Sequence, residues 1–195
     1  MGKLYLGYTT QINPLQNHSY SWDSTVERKN MKIAIIYYSQ SGNCEYVATE
    51  LAKQLSADLI RLEPEKAYPS KGFKKFFWGG KSAVMGESPA LVPYEFDANK
   101  YDLVIIGYPV WAGTFAPPIR TFVEQNVGGL EKLQISAFAC SSGGHAEKSF
   151  DKLKALLKRD SLFPTLSLVD PYAKQSEDNL AQIEAYCAQL RERYN

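Results

Sequence analysis

Short runs of apolar residues alternate along this chain with segments whose apolar residues recur every three or four positions. The first run, residues 33–38, is apolar on both faces, as expected for a strand buried inside a parallel sheet. Residues 57–62 instead alternate polar and apolar positions, which is typical of an edge strand. Three further strands are predicted, a fully apolar one at residues 103–106, a buried one at residues 133–140 and the last one at residues 165–169. The pattern therefore predicts five strands.

Four segments have the spacing of amphipathic helices. Their apolar stripes are Val47, Leu51 and Leu55; Ile119, Phe122 and Val123; Phe150, Leu153, Leu156 and Leu157; and Leu180, Ile183, Cys187 and Leu190. Residues 109–118 are predicted to be a loop, whose final Pro117 and Pro118 can open the second helix because proline fits the first helical turn. Strands that alternate with helices predict an α/β fold, with a parallel sheet covered on both faces.

Two segments fall outside this alternation. Residues 1–30 are polar and lack periodicity, and we interpret them as a leader or extension before a domain at residues 31–195. An ordered N-terminal arm anchored by Tyr20 and Trp22 is the alternative. Residues 64–99 are too long for a plain loop, and they predict a short helix with a loop on either side.

The composition is that of one globular domain, with 195 residues, 45% apolar and 22% charged. A net charge of +1 argues against a nucleic-acid-binding protein, and no apolar run approaches the roughly 20 residues of a membrane span. Cys44, Cys140 and Cys187 are too far apart in sequence to indicate a disulfide framework or a zinc site. Three unpaired thiols suit a reducing cytoplasm, which is the predicted location.

The loop after the first strand is unusually polar, at a place where ligands of open α/β sheets bind. It consists of Ser39, Gln40, Ser41, Gly42, Asn43 and Cys44. Hydroxyls, an amide and the backbone N–H groups of a helix N-terminus can together bind a phosphate without a cation. A simple helix cap by Ser41 or Asn43 would account for only one of these polar residues. Neither a G-x-G-x-x-G motif nor a P-loop motif is present here.

Two further strand-end loops combine small residues with a large aromatic one. They contain Pro109, Val110, Trp111, Ala112 and Gly113, and then Ser141, Ser142, Gly143 and Gly144. Trp111 can give a planar ligand a flat apolar wall, and its alternative role is to cover the end of the sheet. A nucleophilic Cys140–His145 pair is a weaker hypothesis, because it would need an orienting acid and none is evident.

These motifs resemble the flavodoxin family in the run 37–43, the segment 107–113 and the Pro117–Pro118 pair. More narrowly, they are similar to bacterial flavodoxin-like proteins that have a P-V-W-x-G loop and a lengthened segment before the third strand. The resemblance covers about residues 31–195. It implies a flavodoxin-like three-layer α/β/α sandwich, a five-stranded parallel sheet in the order 2-1-3-4-5, and a ligand at the switch point of that order.

The cofactor that the resemblance implies is FMN. The loop 39–44 would bind its phosphate, the loop 109–113 would flank the isoalloxazine ring, and the loop 141–144 would lie on the other side of that ring. Gly113 would let a peptide turn toward the flavin on reduction. The family often has threonine where Ser41 and Cys44 stand. Ser41 keeps the hydroxyl, whereas Cys44 offers only a weak donor.

Charge separates this chain from electron-carrying flavodoxins, which are typically strongly acidic. Residues 31–195 contain 19 basic and 19 acidic residues. Five lysines, Lys66, Lys71, Lys74, Lys75 and Lys81, lie in a stretch without acidic residues. They indicate either a solvated surface or a basic rim for an anionic substrate, NADPH or an acidic partner.

We expect an FMN-binding flavodoxin-like redox protein that acts in electron transfer with a redox partner protein. The alternative is an NAD(P)H-dependent, FMN-containing reductase, for example of quinones. A third hypothesis is a flavin-free interaction module with the same fold. We expect neither nucleic acid nor a membrane span, and the sequence leaves the oligomeric state and the redox potentials open.

Overall fold

The computed structural model describes residues 31–69, 83–144 and 146–194. Some expectations from the sequence concern residues outside these ranges. They are the leader or arm at residues 1–30, residues 70–82 of the segment 64–99, four of the five lysines (Lys71, Lys74, Lys75 and Lys81) and His145.

Six strands in the described ranges form one sheet. They are β1 (Ile33–Tyr37), β2 (Asp58–Arg61), β3 (Leu103–Trp111), β4 (Thr114–Phe115), β5 (Gln134–Ser141) and β6 (Thr165–Val169). All are parallel except the short β4, which pairs antiparallel with the end of β3, and the order is β2-β1-β3-β5-β6. Counted along the chain, the five parallel strands have the predicted order 2-1-3-4-5. The order reverses between β1 and β3, which fixes the switch point there.

In the part of the chain that the structure describes, four helices cover the two faces of the sheet, which confirms the three-layer α/β/α architecture. They are α1 (Asn43–Leu55), α2 (Pro117–Leu130), α3 (Glu147–Leu157) and α4 (Glu177–Tyr194). The side chains of β1 alternate between two cores. Ile35 packs with residues of α1 and α4, and Ile36 packs with residues of α2 and α3. Burial on both faces explains why this strand reads as a continuous apolar run.

The prediction of a loop at residues 109–118 is wrong in its first half. β3 continues to Trp111 and turns back through Ala112 and Gly113 into β4, with Trp111 opposite Thr114. Both turn residues have positive φ, 47° for Ala112 and 72° for Gly113. A two-residue hairpin with that geometry matches the twist of its strands. The second half is as predicted, since α2 begins at Pro117.

The apolar stripe of α4 is wrong at its first position. Leu180 is 39% exposed, whereas the neighbouring Asn179 is buried. The amide of Asn179 donates to the carbonyl of Lys174 at 2.8 Å, and its backbone N–H donates to the Ser176 hydroxyl at 3.2 Å. Hydrogen bonds thus make a polar side chain the inward-facing residue of the first turn.

The segment between β2 and β3 is described only in part. Pro64 forms an antiparallel bridge with Leu91, residues 83–85 are helical, and Ala98–Lys100 form a 3-10 turn. The remainder of the predicted short helix lies outside the described residues. Among the helices of the described ranges, none has both the length and the apolar character needed to cross a membrane.

Candidate functional site

A cavity lies at the carboxyl edge of the sheet, where the loops after β1, β3 and β5 meet. Eleven of the fifteen residues singled out in the sequence line it, together with Cys140. They are Ser39, Gln40, Ser41, Asn43, Cys44, Pro109, Val110, Trp111, Ala112, Ser141 and Ser142. The other four, Gly42, Gly113, Gly143 and Gly144, belong to the same loops but are not part of the wall. The three loops therefore converge on one place, although they are far apart in sequence.

The β1–α1 loop carries two buried polar atoms that lack partners. Ser39 is 5% exposed, and its hydroxyl has no hydrogen-bond partner in the described protein. The side-chain oxygen of Gln40 is equally unpaired, while its amide nitrogen donates to the carbonyl of Pro69 at 3.0 Å. Buried polar groups are normally satisfied, so orphans that line a cavity point to an absent ligand.

The same loop leaves the start of α1 without a side-chain cap. Its cap residue is Gly42, with φ 87° and ψ −18°, and no side chain caps the helix. The alternative of a simple cap by Ser41 or Asn43 is therefore wrong. The first N–H groups of a helix have no partner within the helix and carry its positive dipole end, so this terminus can bind an anion.

The side chain of Asn43 contacts another loop and does not cap its own helix. Its side-chain oxygen accepts the backbone N–H of Tyr172 at 3.0 Å, and its amide nitrogen lies 3.5 Å from a carboxylate oxygen of Asp170. The ring of Tyr172 also covers Gly42, where an added Cβ would lie 3.3 Å from Cδ1 of that ring. The loop after β6 thus closes on the loop after β1.

Trp111 lines the cavity and packs against two tyrosines. It lies edge-on to Tyr38 and Tyr68, with ring centroids 5.7 Å and 5.1 Å away. Burial raises the pKa of Tyr38, and burial followed by the charge of Glu87 raises the pKa of Tyr68 to about 12. Both phenols are therefore neutral at physiological pH, so the surroundings that hold Trp111 are aromatic and uncharged.

The loop after β5 is held by its own hydroxyls. The Ser141 hydroxyl accepts the N–H of Gly144 at 2.9 Å and donates to the carbonyl of the same residue at 3.2 Å. The Ser142 hydroxyl points elsewhere and donates to Asp170 at 3.1 Å. The side chains are thus engaged within the protein, and the backbone N–H groups are the donors that this loop can offer a ligand.

Two cysteines lie at the base of the cavity. Burial raises the pKa of the Cys44 thiol well above its usual range, and contact with Cys140 contributes to this rise. Both side chains are buried. Structural cysteines buried in this way are inert as nucleophiles, and their burial disfavours the hypothesis of a nucleophilic Cys140. His145 lies outside the described residues.

Sequence reasoning missed the loop after β6. Asp170 and Tyr172 contact Asn43 of the β1–α1 loop, and Asp170 also accepts a hydrogen bond from Ser142. The signal that could have found them is their position, since they follow the last strand as the other site residues follow theirs. Tyr68 was also missed, because nothing in its local sequence indicates that it packs on Trp111.

The arrangement fits FMN. An uncapped helix start and an orphan serine hydroxyl suit a phosphate, and an uncharged aromatic wall suits a flat ring. None of the residues that line the cavity within the described ranges is charged, so the phosphate would be held by N–H and O–H donors. The cavity volume is about 200 Å³, below the roughly 300–1,000 Å³ of small-molecule pockets. A ligand as large as FMN would therefore extend from it to the surface.

Comparisons with known proteins agree with this fit. A family model described as flavodoxin matches residues 32–180. A flavoprotein of Lactobacillus acidophilus, solved in complex with FMN, is 24% identical and has a TM-score of 0.61, with 73% of this chain and 96% of that one covered.

Two more distant structures share the fold. An archaeal flavodoxin is 11% identical with a TM-score of 0.55, over 84% of this chain and 99% of that one. A WrbA-like flavodoxin from Agrobacterium tumefaciens is 14% identical with a TM-score of 0.54, over 85% and 99%. At these identities the structural neighbours establish the fold alone. The match to the family model adds to this, because it covers most of the chain.

Proposed function

Because the chain belongs to the flavodoxin family, we propose that it binds FMN in the cavity at the switch point and acts in electron transfer with a protein partner. Bound FMN would supply the redox chemistry, since flavins accept and release electrons singly or in pairs. The observation that carries the proposal is the convergence of three strand-end loops on a cavity whose wall includes the orphan hydroxyl of Ser39.

The phosphate loop would hold the anionic end of the cofactor. The Ser39 hydroxyl can donate to a phosphate oxygen, and the N–H groups at the start of α1 face the same end of the sheet. The Gln40 side-chain oxygen is an acceptor, fixed in that role because its amide nitrogen is bonded to Pro69. It suits a hydroxyl donor such as those of the ribityl chain.

The aromatic wall would orient the ring and exclude water from one side of it. Trp111 is itself held in place by Tyr38 and Tyr68, so its position is set before a ligand arrives. The loop 141–144 would supply backbone N–H donors to the polar edge of the ring. We expect FMN rather than FAD, because the phosphate loop would enclose a terminal phosphate and leave no evident place for an adenylate.

Reconstitution followed by a turnover assay tests this function. The purified protein is loaded with FMN, its visible spectrum is recorded, and NADPH oxidation is then measured with and without a quinone. A flavin spectrum without turnover supports the electron carrier. Steady NADPH oxidation would favour the reductase, and failure to bind FMN would contradict both.

A further inference from the structure

We infer that Asp170 is a positioning residue that ties the phosphate loop (residues 39–44) to the loop after β5 (residues 141–144, called the ring loop). In this way it fixes the distance between the two ends of the cofactor site. The inference rests on the proposed function in that it names FMN as the ligand. We call the contacts of Asp170 with the two loops the clamp. These contacts lie within the protein, so they can be tested without a flavin.

A single carboxylate oxygen of Asp170 serves both loops. It accepts the Ser142 hydroxyl at 3.1 Å and faces the Asn43 amide nitrogen at 3.5 Å. Asn43 and Ser142 are 99 positions apart in sequence, yet both line the cavity. Hydrogen bonds to a charged acceptor are stronger than neutral ones, so this oxygen is well suited to hold two loops against each other.

The backbone around Asp170 fastens the same junction. Its N–H donates to the carbonyl of Ser141 at 2.9 Å, and two residues later the N–H of Tyr172 donates to Asn43 at 3.0 Å. Asp170 has φ 44°, in the left-handed region that aspartate, asparagine and glycine tolerate better than other residues. The loop after β6 therefore bonds to Ser141, at the end of β5, through one backbone N–H and to Asn43 through another. The side chain of Asp170 contacts both of these neighbouring loops.

The other carboxylate oxygen of Asp170 has a different neighbour. It lies 3.8 Å from the ammonium group of Lys174, whose side chain is 67% exposed. An ion pair with an exposed ammonium group at that distance contributes little. The structural role of Asp170 thus lies in the oxygen that contacts Ser142 and Asn43, and Lys174 provides a control that removes the charge partner alone.

The conformational tolerance of this position allows a matched pair of variants. Asp170→Asn keeps an acceptor oxygen and tolerates the left-handed backbone, whereas Asp170→Gly tolerates the same backbone and lacks the side chain. The difference between the two isolates the clamp from backbone strain. Lys174→Ala serves as the control that leaves both loop contacts in place.

Binding of FMN and of riboflavin to the apoprotein is the principal measurement. FMN uses both loops, whereas riboflavin, without a phosphate, depends mainly on the ring loop. Asp170→Gly should weaken FMN about tenfold or more, the scale of losing a charge-assisted hydrogen bond, and should weaken riboflavin less. Asp170→Asn and Lys174→Ala should stay within about threefold of the wild type, since a neutral acceptor retains most of the contact.

Two results would overturn the clamp. One is wild-type FMN affinity in Asp170→Gly. The other is an equal loss in Asp170→Asn and Asp170→Gly, which would show that an acceptor oxygen at this position does not hold the two loops together. If Asp170→Gly fails to fold, Ser142→Ala cuts only the ring-side contact and should weaken both flavins by the same factor; unchanged affinities would contradict the clamp.

Hydrogen exchange in the apoprotein separates the clamp from the proposed function. The amide of Tyr172, which donates to Asn43, should exchange faster in Asp170→Gly than in Asp170→Asn. If the wild type binds no flavin, the proposed function fails while this exchange difference still supports the clamp. Equal exchange rates in the two variants would overturn the clamp whatever the flavin result.

Discussion

Trp111 lies edge-on to Tyr38, with ring centroids 5.7 Å apart and an angle of 89° between the ring planes. Tyr38 directly follows β1, and Trp111 ends β3, the two strands between which the sheet order reverses. The contact therefore spans the switch point itself. It holds Trp111, which lines the cavity, at the place where α/β sheets bind their ligands.

Replacing Trp111 tests this role. Trp111→Ala should raise the fluorescence of bound flavin, because a packed indole quenches it, and should cost about 1–3 kcal/mol of FMN affinity through lost aromatic burial. Trp111→Phe is the matched control, which keeps a flat ring and should lose less. If Trp111→Ala leaves both fluorescence and affinity unchanged, Trp111 only covers the end of the sheet.

Gly42 tests the phosphate loop. Its φ of 87° disfavours any residue with a Cβ, and an added Cβ would lie 3.3 Å from the ring of Tyr172. Gly42→Val should therefore weaken FMN more than riboflavin, by about tenfold for each 1.4 kcal/mol of strain. Gly128→Val, in α2 and outside the cavity wall, is the control, since a Cβ there meets nothing within 4 Å and no positive φ is involved. An equal loss for both flavins in Gly42→Val would argue against a phosphate at this loop.

A substitution at Gly113 tests the effect of backbone conformation on stability without a change in side-chain packing. It has φ 72°, and a Cβ built there has no neighbour within 4 Å, so a substitution is penalised by the backbone alone. Gly113→Val should lower the free energy of unfolding of the apoprotein by about 1–2 kcal/mol. From the resemblance to flavodoxins we propose that the turn at Gly113 also responds to flavin reduction. On that basis the one-electron potential of bound FMN should shift by about 50–90 mV, as a redox titration would reveal.

The converse change at the neighbouring turn position provides the control for Gly113. Ala112 has φ 47°, a strained conformation for a residue with a Cβ. Ala112→Gly should relieve that strain and raise the apoprotein's free energy of unfolding by up to about 1 kcal/mol, as thermal or urea unfolding would measure. If both variants unfold like the wild type, the hairpin turn has a different backbone.

A buried tyrosine predicts how stability changes at high pH. Tyr186 bonds to the hydroxyl of Ser136, which itself donates to the carbonyl of Pro164 at 2.6 Å. Burial raises the pKa of Tyr186. In the unfolded chain the phenol ionises from about pH 10, while the folded chain keeps its proton to a higher pH. The folded state then binds more protons than the unfolded state, so the free energy of unfolding falls as pH rises above about 10.

Tyr186→Phe tests this account. At neutral pH it should lower the free energy of unfolding by about 1 kcal/mol, the net value of one buried hydrogen bond, and above about pH 10 the fall in stability should be shallower than in the wild type. Urea unfolding at neutral and alkaline pH measures both effects. Tyr172→Phe, at an exposed phenol, is the control. An alkaline stability profile identical to the wild type would contradict the role of Tyr186.

Local pattern was enough to predict the sheet but not the contacts between its loops. β1 and the first half of β3 were predictable because burial on both faces leaves only apolar residues in the run. The hairpin at Ala112 and Gly113 was not, because alanine is a poor indicator of a turn that needs positive φ. Leu180 was misplaced because hydrogen bonds to Asn179 outweigh a weak apolar stripe.

The residues of the candidate site also fall into those that local sequence predicts and those that it does not. Loops that directly follow strands were found from their polar or small residues, since topology alone brings them to one edge. Asp170 also follows a strand directly, but it was not found, because position alone does not reveal its contacts with Asn43 and Ser142. Its neighbour Tyr172 escaped notice for the same reason.

The central claim is that the β1–α1 loop binds the phosphate of FMN. The most direct test is the affinity of the wild-type apoprotein for FMN, riboflavin and FAD, measured by titration under identical conditions. We expect FMN to bind more tightly than riboflavin by at least about a hundredfold, since several charge-assisted hydrogen bonds to the phosphate would be lost, and FAD to bind poorly. Equal affinities for FMN and riboflavin would contradict the account.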